Sequence, residues 1–183
     1  MTCILDDMAK DWAVDQAARI GGEIRRLRGS RSGQWLSDRT HELGYRVPRT
    51  TISELENGKR KYVSTAELAI LARALDTAPI TLLYPPPYGA EVEILPGETS
   101  TNWVAVEWFS GRTARYGDID DMSTYERNLA PLRAAVKIAD LKRRRMRLTA
   151  TLANVDDEAM RVMLLDEVNE IQSEIDELSG DAG

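Results

Sequence analysis

The spacing of apolar residues changes several times along this chain, and the changes divide it into elements. Met8, Trp12 and Ala13 stand at helical spacing, with Asp6 and Asp7 as candidate caps. Ile20, Ile24 and Leu27 form a second helical stripe that ends near Arg28. Gly21-Gly22 would cost one continuous helix about 2 kcal/mol relative to alanine. The pattern therefore predicts a loosely attached leading turn, then a first helix. Ser32 is a suitable N-cap for the next helix, which carries Trp35, Leu36, Thr40 and Leu43 on one side. Gly44 falls where a helix end wants left-handed backbone, and Pro48 opens a further helix where a missing N–H costs nothing. That helix turns Ile52 and Leu55 inward, leaves Arg49, Thr50, Ser53 and Glu54 outward, and stops at Asn57-Gly58. Ser64 and Glu67 have capping-box spacing and begin a helix with Leu68, Leu71, Ala72 and Leu75 on its apolar face. A short helix over Pro79–Leu83 follows.

Beyond this point the periodicity is less regular. Tyr84-Pro-Pro-Pro reads as a stiff polyproline II spacer over 85–90. Glu91 to Leu95 alternate like a strand bounded by Pro96-Gly97. Ser100 or Thr101 could cap a short helix through Trp103, Val106 and Phe109. The β-favouring Val104 and Val106 leave a hairpin as the rival. Ser123 and Glu126 repeat the capping-box spacing and start a long helix, which Pro131 should kink or restart. From Ala134 a heptad beat runs through Ile138, Leu141, Arg145, Leu148, Leu152 and Val155. Asn154 and the acids Asp156-Asp157 interrupt it. Leu164, Val168, Ile171, Ile175 and Leu178 then resume the beat in a different phase, which predicts two helices folded back as a hairpin. The expected architecture is mainly α. A helical domain over 1–84 is followed by a linker over 85–90, a small strand/helix segment over 91–122 and an antiparallel hairpin over 123–180.

The string TTISELENGKRK, with the glycine turn before it, resembles the recognition helix and following loop of XRE-type helix-turn-helix regulators, the lambdoid phage repressor and Cro class. The resemblance spans about Ile20 to Pro85. It implies a five-helix, lambda-repressor-like domain whose third helix enters the major groove of double-stranded DNA. Two copies would read two operator half-sites about one helical turn apart. On the matching positions, Arg49 can grip guanine bidentately, Thr50 can meet a thymine methyl and Glu54 can accept from cytosine. Thr51, Ser53, Gln34 and Arg46 complete the expected contact set. Asn57, Lys59, Arg60 and Lys61 match the loop that clasps phosphates. Two departures from the family stand out. Its usual glutamine position early in the second helix is Gly33, with Gln34 one residue late, and the turn after that helix is longer.

Net charge is −6, which opposes DNA binding only until it is resolved along the chain. Gly21 to Tyr62 holds ten Lys/Arg against five Asp/Glu, whereas Tyr88 to the end holds 11 against 19. Salt screens charges beyond about 8 Å, so the field near the bound DNA is the local, positive one. Arg25, Arg26, Arg28 and Arg31 are candidate phosphate contacts or a solvated face. The two hairpin helices differ sharply. Lys137, Lys142, Arg143, Arg144, Arg145 and Arg147 load the first, while after Asn154 ten acids face one base, Arg161. Opposite charge favours their pairing, and Lys142 to Arg147 offer a second DNA contact as the rarer role. The hairpin's seam residues, Ile138, Leu141, Leu148, Leu152, Leu164, Val168, Ile171 and Ile175, are expected to make a homodimer.

Catalytic chemistry is not called for. His41 is the only histidine and Cys3 the only cysteine, so neither a histidine metal cluster nor a disulfide is expected. Gly21-Gly22 lacks phosphate-loop spacing, and the acid pairs Asp120-Asp121 and Asp156-Asp157 occupy turn and cap positions. No enzyme activity and no cofactor are expected. No apolar run reaches membrane length and no secretory pattern opens the chain, so a reducing cytoplasm is the expected location. The reading is a DNA-binding transcriptional regulator, a repressor. Its rival is an antitoxin-like or adaptor protein whose C-terminal helices bind a protein partner. A third option is a regulator sensing a small ligand at Trp103 to Phe109.

Overall fold

The computed structural model describes residues 2–112 and 121–180, with side chains from Trp12 onward. Met8, Asp6, Asp7 and Asp120 thus fall outside the described side chains. The chain is mainly helical with one small sheet, and it divides into two compact units, Met1–Thr113 and Ala114–Gly183.

The first unit is built on α1 (Thr2–Arg28), followed by α2 (Gly33–Glu42), α3 (Arg49–Glu56), α4 (Thr65–Ala74) and α5 (Pro79–Leu83). The expected break at Gly21-Gly22 does not occur: α1 runs through both glycines. Tertiary packing explains Gly21. A Cβ built there would lie 2.0 Å from the Leu55 carbonyl oxygen, so only glycine lets the end of α3 cross α1 this closely. Nothing lies within 4 Å of the same position on Gly22. Ala17, Ile20 and Ile24 of α1 join Leu36, Val47, Ile52, Leu55, Leu71, Ala72, Leu75, Leu82 and Leu83 in the buried core.

The caps follow the sequence closely. Ser32 Oγ accepts from the Trp35 amide at 3.0 Å, and Ser64 with Glu67 closes a reciprocal capping box. Gly44 turns with φ 94° after α2. Pro48 sits one residue earlier than expected, as the N-cap of α3, where its fixed φ suits an extended cap.

The segment after α5 joins this first unit instead of spacing it from the next. Tyr84 is buried. The turn over 87–90 is tied to the following helix by hydrogen bonds from the Asn102 amide to the Ala90 carbonyl and from the Trp103 amide to the Tyr88 carbonyl, both 2.9 Å. A free polyproline spacer would leave those carbonyls to water. β1 (Glu91–Leu95) pairs antiparallel with β2 (Glu98–Thr101), in the register Glu91 to Thr101 and Val92 to Ser100. Val92 and Ile94 bury one face of β1. Strand β2 carries no apolar residue, so its only signal is the partner it pairs with. Thr101 then caps α6 (Asn102–Phe109), which decides the open choice in favour of a helix. The Trp12 indole donates to the Glu93 carbonyl at 3.2 Å and Arg19 Nε to the Leu83 carbonyl at 2.9 Å, fastening this segment to α1.

The second unit is α7 (Met122–Leu152) and α8 (Glu158–Gly180). Asp121, not Ser123, caps α7: its carboxylate accepts from the Thr124 amide, and Ser123 donates to it. Hydrogen bonds from Thr124 and Ser123 hold that carboxyl down to about 2. Pro131 neither ends nor restarts the helix. Its ring faces solvent, and a contact between Glu126 and Arg133 spans the turn that contains it. Asp157 caps α8 by accepting from the Met160 amide at 2.8 Å. The two helices run antiparallel, as shown by Lys137 pairing with Glu174 and Arg144 with Glu167. Leu141, Ile171 and Ile175 form the centre of their seam, with Ile138, Leu148 and Leu178 packed against it.

Candidate nucleic-acid interface

The expected interface is organised by α2, the turn over 43–48 and α3. Only eight residues long, α3 would be marginal alone. It is held because Ile52 and Leu55 are fully buried beneath it and because its last residue is clamped. Arg28 grips Glu56 through two hydrogen bonds of 2.7 and 2.8 Å. This pair is largely shielded from solvent, and the guanidinium is pushed above its ordinary range by the Glu56 hydrogen bond. The turn is fixed by a residue whose role the periodicity did not reveal. Buried Thr40 donates to the Ser37 carbonyl at 2.8 Å and accepts from the Val47 amide at 2.9 Å. Val47 is buried in turn. The longer turn is therefore pinned at both ends. The starts of α2 and α3 lie side by side, since a Cβ on Gly33 would touch Arg49 Cγ at 3.7 Å.

With Ile52 and Leu55 facing inward, Arg49, Thr50, Ser53 and Glu54 are all exposed, and Thr51 is half-buried at the flank. Gln34 is exposed but donates to Asp38 Oδ1 at 2.7 Å. Arg46 lies near the same carboxylate, at 3.8 Å. Contact with a phosphate by either side chain would compete with Asp38.

The four loop residues separate into two pairs. Lys59 and Lys61 are exposed. Asn57 instead turns its amide nitrogen back to the Ser53 carbonyl at 2.8 Å. Arg60 lies half-buried against Glu67 at 2.6 Å and over the Tyr62 ring at 5.0 Å, so it ties the loop to the start of α4. The arginines before α2 are also engaged. Arg26 pairs with Glu23. Arg31 stacks over Trp35 at 4.0 Å while donating to the Leu27 and Arg28 carbonyls at the end of α1. Of that group Arg25 and Arg31 are exposed with no ion pair seen among the described residues, and Arg31 is held by Trp35 and the carbonyls instead.

The aromatics considered for ligand binding pack on their neighbours. Tyr84 meets Phe109 edge to face at 6.0 Å, and Tyr88 meets Trp103 at 6.2 Å. Among the described residues no helix is long and apolar enough to cross a membrane, and no cluster of His, Cys, Asp and Glu is placed to hold a metal ion. No protein-family model, curated protein or solved structure matches the chain.

Proposed function

We propose that this chain is a sequence-specific DNA-binding transcriptional regulator of the XRE type, acting as a repressor, with a lambda-repressor-like N-terminal domain. One observation carries the reading. A short helix, clamped at its far end, buries two apolar residues and presents Arg49, Thr50, Ser53 and Glu54 to solvent. Those types match base edges in the major groove: a fork for guanine, a methyl for thymine and an acceptor for cytosine. Lys59 and Lys61, just beyond the helix, are the cations left for the phosphate backbone. Arg60 and Asn57 act one step back, holding the loop and the helix end that present them. Two copies read two half-sites about one helical turn apart.

Selection of bound sequences from random duplexes by the full chain tests this. The expected result is enrichment of a site with two-fold symmetry. With Arg49→Ala, one base position in each half-site should relax, at a cost of about 1–3 kcal/mol. With Lys61→Ala, specific and random DNA should weaken alike, with a salt slope lower by about 1. No enrichment by the native chain would overturn the reading. The second reading is an adaptor that holds a protein partner, for which the α7–α8 hairpin is the available surface, since it leaves apolar residues exposed.

A further inference from the structure

The two flanks of the α7–α8 hairpin differ in a way that the heptad pattern alone does not show. The seam residues expected from the heptad spacing lie inside the hairpin: Leu141, Leu164, Ile171 and Ile175 are buried and Ile138, Leu148, Leu152 and Val168 half-buried. One flank beside this seam is charged and carries the ion pairs between the helices, Lys137 on Glu174 and Arg144 on Glu167, with Met160 and Met163 exposed toward its turn end. The opposite flank consists of the positions three and four apart from Leu132 to Thr149 on α7 and from Val162 to Ser179 on α8. Its only charges are Lys142 and Asp176. It leaves Leu132, Met146, Val162 and Leu165 exposed, at 45%, 67%, 50% and 42%.

We propose that this flank, neutral overall, is the surface on which a second copy of the chain docks, closing two hairpins into a four-helix bundle. Three features favour a copy over another partner. A two-fold axis brings a patch onto itself, so a patch of one sign would repel itself. This one holds a single cation and a single anion and is neutral. Its size is also sufficient. Residues 162 to 179 span about 26 Å at 1.5 Å per residue, and two helices are roughly 20 Å wide. Facing copies would cover about 1,000 Å² in all, the lower bound for a specific interface. Finally, a two-helix hairpin with so few buried side chains is less than a whole core, whereas four helices make one. The inference deepens the proposed function, which needs two copies, by naming where they meet.

Sedimentation equilibrium of the full chain without DNA tests it separately from any DNA result. The native chain should be a dimer at micromolar concentration. With Met146→Glu and Leu165→Glu, self-association should weaken at least 100-fold while helix content by circular dichroism is kept. Met163→Glu places the same charge on the ion-paired flank, at a residue 56% exposed, and should leave the dimer intact. A chain carrying Met146→Lys and Leu165→Lys should be monomeric alone and dimerise when mixed with the Glu pair, which also shows that both are folded. A monomeric native chain, a dimer indifferent to the paired glutamates, or equal damage from Met163→Glu would overturn the proposal. A dimer that obeys these rules but selects no DNA would support the surface and count against the regulator reading alone.

Discussion

Arg28 and Arg144 make the same chemical contact, a guanidinium on a glutamate, in two different settings. Arg28 and Glu56 join the ends of α1 and α3, with side chains 15% and 8% exposed. Arg144 and Glu167 join α7 to α8 with side chains 57% and 31% exposed. The first pair is surrounded by elements distant in sequence, and removing one partner leaves the other charge partly shielded from water. The second lies along a hairpin whose helices are already neighbours in the chain, and water can replace either partner. The difference extends beyond ion pairs. In the N-terminal unit, residues from α1 to α6 share one core, so each element depends on several others. In the hairpin α7 and α8 pack on each other along one seam, and several of their apolar residues remain exposed. Charge and heptad spacing are enough to specify the hairpin, while the N-terminal unit needs close shape fitting as well.

The sharpest way to break this comparison is at the α1–α3 crossing. Gly21→Ala should cost about 3 kcal/mol, because its methyl would run into the backbone of Leu55. Its neighbour Gly22→Ala should instead stabilise by about 0.5–1 kcal/mol, having open space and a helical backbone. Urea unfolding of both variants measures this, and equal effects would mean that α3 does not press on α1.

A smaller effect distinguishes the two ion pairs. Arg28→Ala should destabilise by about 2 kcal/mol, since Glu56 loses a partner in a shielded place. Arg144→Ala should cost no more than about 0.5 kcal/mol, the range of exposed pairs. Thermal unfolding in low and high salt separates them further, because salt screens only the exposed pair well. Similar losses in the two variants would remove the distinction.

The smallest expected effect is on acid stability, where both units carry a depressed carboxyl. At Glu67 burial raises the pKa, but hydrogen bonds from the Ser64 amide, Arg60 and the Ser64 hydroxyl outweigh it and hold the group below its usual range. Asp121 is held down to about 2 by Thr124 and Ser123. A folded pKa below the unfolded one means stability that is fully present above the unfolded value, near 4. It is lost as pH falls through the folded value. Carboxyl titration by NMR should therefore find Glu67 protonating below the usual glutamate range and Asp121 near pH 2. The two sites differ in cause: Asp121 depends on hydroxyl and amide donors in its own turn, whereas Glu67 also needs Arg60 from the preceding loop. Arg60→Ala should raise the Glu67 pKa and leave Asp121 unmoved. An Asp121 that titrates at an ordinary value would show its cap to be open in solution.

Local chemistry alone determined the helix starts at Ser32 and Ser64, the left-handed turn at Gly44, the short helix over Pro79–Leu83 and the phase break that folds α7 against α8. Each depends on groups within a few residues of one another, or on a period that any partner helix would satisfy. The outward row Arg49, Thr50, Ser53 and Glu54 was legible for the same reason, since Ile52 and Leu55 leave it only one side to face. What only the tertiary structure decided depends on residues far apart in the chain. Gly21 reads as a helix breaker until α3 is laid against it. β2 has no apolar alternation and becomes a strand because β1 offers it backbone partners. Arg60 reads as a phosphate contact until Glu67 is brought within 2.6 Å. Leu132, Met146, Val162 and Leu165 gain meaning only once the ion pairs show which flank of the hairpin carries them. Sequence spacing records which side of an element a residue occupies, and the packing of separate elements decides what that side meets.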